Sequence, residues 1–308
     1  MSKSQRVLVI GGTGFIGKHL IKKLLYDNYN ITSLSINPLN EKEKNPKVNY
    51  IFCDLNNFDL LRKKTDFSFD YIFNLGGYIN HSGFNTEEGE NTFKTHFESI
   101  VRLVSSLDKK RLKHFIQIGS SDEYGEAPSP QNENIIGSVK TPYAKSKLLM
   151  TNYLIDKFQN KSFPTTIVRL FLVYGPGQDT NRLIPYVIEG CLRDQDLKLS
   201  SGEQLRDFTF IDDAVEGISL ILKSDNLYGE IINLASGNPV KVKYVVKKIC
   251  EIMGKGQPVF GSQLDKHDEN RKLFADTNKV KNLLNWEAKI DLTEGLKKTI
   301  KFYETRKE

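Results

Sequence analysis

The sequence predicts an α/β protein with a doubly wound parallel sheet and a smaller, discontinuous C-terminal α/β domain. Three observations carry this. Short apolar, β-branched runs alternate with longer amphipathic stretches up to about residue 170. A glycine-rich turn, Gly11 to Gly17, joins the first run to the first amphipathic stretch. Finally, 39% of the 308 residues are hydrophobic and 27% charged. At ~100–200 residues per domain, that is enough for two domains with a substantial core.

Taken in order, residues 7–10, 30–35, 50–53, 71–75, 115–118 and 166–170 read as buried strands, because each is a short apolar run without the alternation of a half-exposed strand. Residues 17–26, 90–107 and 143–158 read as the intervening helices. Such a sheet keeps its ligand crevice beyond the carboxyl ends of the strands, so the chemistry is expected just after them. Past residue 177 the pattern loosens into short elements, while 208–222 and 231–234 look like returns to the first domain. The expected division is 1–177 with 208–235, against 178–207 with 236–308.

A mean hydropathy of −0.42 excludes a polytopic membrane protein, and the composition excludes a disordered or collagen-like chain. The net charge of +6 is spread along the chain, which suits an anionic small molecule and not a nucleic-acid footprint. Cys53, Cys191 and Cys250 are too scattered for a disulfide framework or a metal site, so a reducing cytoplasm is the expected location. Residues 1–6 run straight into a strand and no run approaches ~20 apolar residues, so neither a secretory address nor a membrane span is expected.

In Gly11-Gly12-Thr13-Gly14-Phe15-Ile16-Gly17, the glycines at 11, 14 and 17 permit a sharp turn, close approach to a pyrophosphate, and tight helix–strand packing. The expected ligand is a dinucleotide. The 2′-position reader belongs at the end of the second strand, where an acid would select NAD and an arginine NADP. Neither is present; Ser35 and Asn37 suit both forms, so NAD and NADP stay open. Asp54, after the third strand, is a candidate adenine contact or an ordinary loop cap. Leu55 and Leu75 complete this cofactor set with Phe15 and Ile16. Pro142 starts a helix that places Tyr143 and Lys147 at i and i+4 on one face, where a lysine ammonium favours the phenolate form of a tyrosine.

The glycine loop, Ser120 at a strand end, and the Tyr143/Lys147 pair together resemble the extended short-chain dehydrogenase/reductases that act on nucleotide sugars. The resemblance implies a Rossmann-type fold and a homodimer. It also implies that Ser120 holds the sugar oxygen, Tyr143 transfers its proton, and Lys147 supports the tyrosine and the cofactor ribose. Gly202 to Asp213 resembles the family's return segment, which makes Arg206 the expected grip on a nucleotide diphosphate, with Asp276 and His81 as further substrate candidates. His96 stands where many members carry an asparagine, and Asn74-Leu75-Gly76-Gly77 replaces the more usual His-x-Ala-Ala.

Dehydratases of the family place an Asp-Glu pair directly after the hydroxyl residue. Here Ser121 intervenes, putting Asp122 and Glu123 one place late, although both remain acid/base candidates. The segment Ser120 to Gly125 resembles 4-keto-6-deoxy sugar reductases. The expected activity is hydride transfer at C4 by a reductase or 4-dehydrogenase, with a 4-epimerase, then a 4,6-dehydratase, as alternatives. A non-catalytic dinucleotide sensor is the remote one.

Overall fold

The structure, a computed structural model, describes residues 5–77, 83–84, 86–135, 137–264 and 270–306. In chain order the first elements are β1 (Arg6–Ile10), α1 (Phe15–Tyr26), β2 (Asn30–Ser35), β3 (Val48–Phe52), α2 (Phe58–Lys64), β4 (Tyr71–Asn74), α3 (Glu87–Phe93), α4 (Ser99–Ser106), β5 (His114–Ser120), α5 (Pro142–Lys161) and β6 (Thr165–Leu170). Then follow β7 (Leu172–Tyr174), α6 (Leu183–Leu192), β8 (Asp196–Leu199), β9 (Leu205–Phe210), α7 (Ile211–Leu220), β10 (Ile231–Leu234), β11 (Pro239–Lys241), α8 (Val242–Met253), β12 (Gln257–Phe260), β13 (Lys272–Leu273), α9 (Asn278–Leu284) and α10 (Leu292–Thr305).

The seven-stranded sheet has the order β10-β6-β5-β4-β1-β2-β3. Its inner strands are buried on both faces, as the continuous apolar runs predict, whereas the edge strand β3 is only partly so. The chain leaves β3 at one edge and returns as β4 on the other side of β1, pairing in parallel with it. That reversal is the switch point at which such sheets bind ligands, and both the loop after β1 and the loop after β4 lie there. Leu8, Ile10, Ile72, Leu103, Phe115, Met150, Leu154 and Ile167 belong to the core that joins the sheet to its helices.

One helical expectation changes, and one helix is additional to those expected. The stretch expected as a helix over 90–107 is α3 and α4 joined by a π-helical turn, Lys94–Glu98, which turns both Thr95 and His96 into the interior. Asn56 holds this junction, donating to Thr95 Oγ1 at 3.1 Å and accepting from Ser99 Oγ at 2.7 Å. The short α2 lies in a polar stretch with no sustained apolar period; the Asn57 side chain caps it by accepting from Leu60 N.

The chain divides into two compact units. The first comprises Met1–Gly125, Ile136–Arg169 and Val215–Ile232; the second comprises Glu126–Ile135, Leu170–Ala214 and Asn233–Glu308. This differs from the expected division by assigning 126–135, 170–177, 208–214 and 233–235 to the second unit. The reason is strand pairing: β7 pairs with β9, not with its chain neighbour β6. In the second unit β9 also pairs with β11 and β13, and β8 pairs with β12. Among the described residues no helix is long and apolar enough to cross a membrane.

Candidate active site

The glycines of the loop after β1 are not all required for one reason. Gly11 has φ +78°, donates to Leu34 O at 2.7 Å, and a Cβ there would stand 3.0 Å from the Leu75 carbonyl. A Cβ on Gly17 would lie 2.2 Å from Gly11 O and 2.7 Å from Gly12 Cα, and one on Gly12 would lie 2.3 Å from Ser33 Oγ. Packing therefore forbids side chains at 12 and 17. Gly14 is exposed, has an ordinary φ of −73°, and its Cβ would meet only Gly11 O, at 3.2 Å. It is also the N-cap of α1, with no side-chain cap and no acid in the first turn. The amides at Phe15 and Ile16 thus open a dipole-positive helix start onto a space that a side chain at 14 would fill, which fits a pyrophosphate. Gly14→Val is expected to stay folded yet lose dinucleotide binding by calorimetry, whereas Gly17→Ala should lower the melting temperature. Unchanged affinity in Gly14→Val would remove this assignment.

The remaining cofactor candidates divide. Ser35 is buried and its Oγ accepts from Thr13 N at 3.1 Å, so the side chain expected to read the 2′-position braces the glycine loop instead. Asn37 is exposed. Asp54 is exposed and its Oδ1 accepts from Asn56 N at 2.9 Å, which is the loop cap of its two expected roles. Leu55 is buried; Leu75 is half-buried and anchored by its N–H on Ile10 O at 3.0 Å.

Ser120, Tyr143 and Lys147 belong to the same unit. α5 starts where expected, with Thr141 capping Ala144 N at 3.1 Å and Pro142 in the first turn. Tyr143 and Lys147 are buried, and the Lys147 Nζ lies 5.8 Å from the tyrosine ring centroid. Lys147 donates to Ile118 O at 2.8 Å. Burial pulls its pKa down to about 8 against the attraction of the Glu123 carboxylate. The His96 ring packs edge-on against Tyr143, centroids 5.1 Å apart, and it occupies the space a side chain on Gly77 would need. His96 therefore does take a place beside the tyrosine.

Sequence reasoning missed the residues behind this surface. Asn74 and Gln117 are buried; Asn74 donates to Gln117 Oε1 at 2.8 Å, and Gln117 shares the Ile118 carbonyl with Lys147. Glu123, read as an acid/base candidate, has a different place. Its side chain is fully buried, accepting from Ser120 N at 2.9 Å, Thr151 Oγ1 at 2.7 Å and Arg169 Nε at 3.1 Å. Ser120 Oγ in turn accepts from Asp122 N at 3.1 Å. This is a capping box on the short 3-10 turn Ser121–Tyr124, and its Ser-x-x-Glu spacing was visible in the sequence. With a lone pair so engaged, the Ser120 hydroxyl keeps its proton for another acceptor. Asp122 is half-buried.

His81 lies outside the described residues. Arg206 and Asp276 belong to the second unit. Arg206 is a buried residue at the centre of its sheet, opposite Val240 and Leu273, with Nη1 on Leu205 O at 2.8 Å. Asp276 caps Asn278 N at 2.9 Å, which accounts for it structurally. Asp207 is likewise structural, accepting from Ser236 N, Ser236 Oγ and Gly237 N.

Residues 7–235 match the NAD dependent epimerase/dehydratase family. Over 312 residues the chain is 28% identical to a protein of Bacillus subtilis (strain 168) described as an uncharacterized UDP-glucose epimerase, covering 96% of this chain and 97% of that one. The UDP-glucose 4-epimerase of Thermotoga maritima, solved with UDP-glucose, superposes with a TM-score of 0.89 at 26% identity over 98% of this chain and 100% of its own. The UDP-glucuronic acid 4-epimerase of Bacillus cereus, in complex with UDP-glucuronic acid and NAD, gives 0.87 at 25% identity over 98% and 99%. With that family matched over most of its length, the chain belongs to the NAD dependent epimerase/dehydratase family of enzymes.

Proposed function

We propose that this protein uses NAD to epimerise a nucleotide-diphosphate hexose at C4. The observation that carries the reading is that Glu123 is tied up in a buried ion pair, which leaves Ser120, Tyr143 and Lys147 as the residues to which this reading gives hydride and proton transfer. A 4,6-dehydratase needs a second pair of acid/base carboxyls, and Glu123 is not available as one. Both superposed relatives named above are 4-epimerases.

Bound NAD supplies the acceptor for the C4 hydride and its donor on return. Gly11, Gly14 and the amides of Phe15 and Ile16 hold its pyrophosphate. Tyr143 removes the proton of the C4 hydroxyl as the carbonyl forms, and Ser120 Oγ donates a hydrogen bond to that oxygen. The Lys147 ammonium favours the phenolate that this step needs. When the 4-keto sugar is reduced on its other face, Tyr143 returns the proton, so no net redox change results. Arg206 grips the diphosphate of the substrate through a guanidinium fork suited to phosphate oxygens.

A net reductase is the second reading, favoured by the resemblance of Ser120 to Gly125 to keto-sugar reductases. One experiment separates them. Incubated with UDP-glucose or UDP-glucuronic acid and NAD, the enzyme is expected to form the 4-epimer with no accumulation of reduced nicotinamide. Stoichiometric consumption of NADH with a 4-keto sugar, and no epimer from any nucleotide hexose, would establish the reductase instead.

A further inference from the structure

We propose that the buried Glu123–Arg169 pair is a positioning element of the reaction, whose carboxylate fixes the turn aiming the Ser120 hydroxyl and ties that turn to the helix carrying Lys147. The proposal rests on the roles given above to Ser120, Tyr143 and Lys147, and adds a device behind them.

The geometry is that of a carboxylate shared by the three elements around the site. One oxygen takes the Ser120 amide, fixing the start of the 3-10 turn. The other takes Thr151, one helical turn beyond Lys147 on α5, and the Arg169 Nε from β6. Gly119 is a glycine because a Cβ there would stand 2.4 Å from Glu123 Oε1. Arg169 is held in turn over the ring of the fully buried Tyr124, 4.5 Å from its centroid. A solvated capping box would suffice to end a strand. This one is buried with a cation behind it, and its charge reaches a lysine on the reacting surface.

Among the described residues, titratable groups on the elements packed here are the following. Tyr143 lies on its own helix, Glu123 and the half-buried Asp122 lie on the 3-10 turn, and His96 lies across Tyr143 on the π-helical turn. The acids of α3, Glu87, Glu88 and Glu90, are exposed. Burial works against the ammonium, and Glu123 is the charge that opposes burial. An opposite charge at close range commonly moves a pKa by about one unit or more, enough to decide whether Lys147 is protonated near neutrality.

The test follows Lys147 directly, without substrate, by NMR titration of the full-length protein carrying 13Cε-lysine, with Lys147→Met identifying the resonance. In Glu123→Gln the midpoint is expected to fall by about one pH unit from its wild-type position near 8. If that variant does not fold, Glu123→Gln/Arg169→Met, which leaves no unpaired charge, is expected to shift the midpoint in the same direction by less, because a like charge is removed with the carboxylate. Turnover of the variant should fall more at pH 8 than at pH 6.5. An unmoved midpoint in a folded variant, or turnover lowered equally at every pH, would overturn the proposal. Neither result touches the assignment of Tyr143, which stands or falls on its own variant.

Discussion

Tyr143→Phe is expected to lower kcat by about 10²- to 10⁴-fold, the usual contribution of a positioned acid/base, while NAD affinity stays at the wild-type value. The substitution removes one hydroxyl and keeps the ring. That ring is 5% exposed and packs edge-on against His96, so the phenylalanine should hold the same place. The Lys147 ammonium, tied to Ile118 O, also stays where it is. Only the proton carrier is lost. The wild-type rate should in addition decline as pH rises through about 8, because Lys147, depressed by burial, then gives up the charge that favours the phenolate. The measurement is turnover against pH on a nucleotide hexose, alongside calorimetric NAD titration. Wild-type turnover in Tyr143→Phe would transfer the proton step to Asp122, the carboxyl of this turn that is not held in the Arg169 ion pair.

Arg169→Ala is expected to destabilise the fold by about 3–5 kcal/mol, the effect of removing one partner from a buried ion pair. Arg169 is 4% exposed, and the Glu123 side chain is wholly buried. The deletion leaves a buried carboxylate with two hydrogen bonds and without its ion-pair partner, and it strips a cation from the Tyr124 ring. Urea denaturation at neutral pH reads the loss. A loss under 1 kcal/mol would show that the pair contributes little.

The composite signals were the legible ones. Gly11, Gly14 and Gly17 follow an apolar strand, and Tyr143 and Lys147 share a helix face after Pro142; local chemistry specifies such features, and the structure keeps them. The strands of the large sheet were legible because a sheet covered on both faces leaves unbroken apolar runs. Less legible were places where one residue type serves two purposes. Ser35 and Glu123 carry polar groups that would suit a ligand, and the fold uses both for its own backbone amides. For Glu123 the Ser-x-x-Glu spacing was a usable signal; for Ser35, reaching back to Thr13, no local pattern existed.

By itself the sequence determined the fold class, the position of the dinucleotide loop and the chemical types at the reacting surface, since each follows from contacts within a strand, a turn or a helix. Only the tertiary structure decided which of those groups are free to act. Thr151 and Arg169 reach Glu123 across 28 and 46 residues of chain, and Gln117 meets Asn74 across 43. It likewise decided that β7 joins β9 and not β6. Pairings at such separations are selected by burial, which strongly disfavours a charge or amide without a partner, and no window of sequence contains both members of the pair.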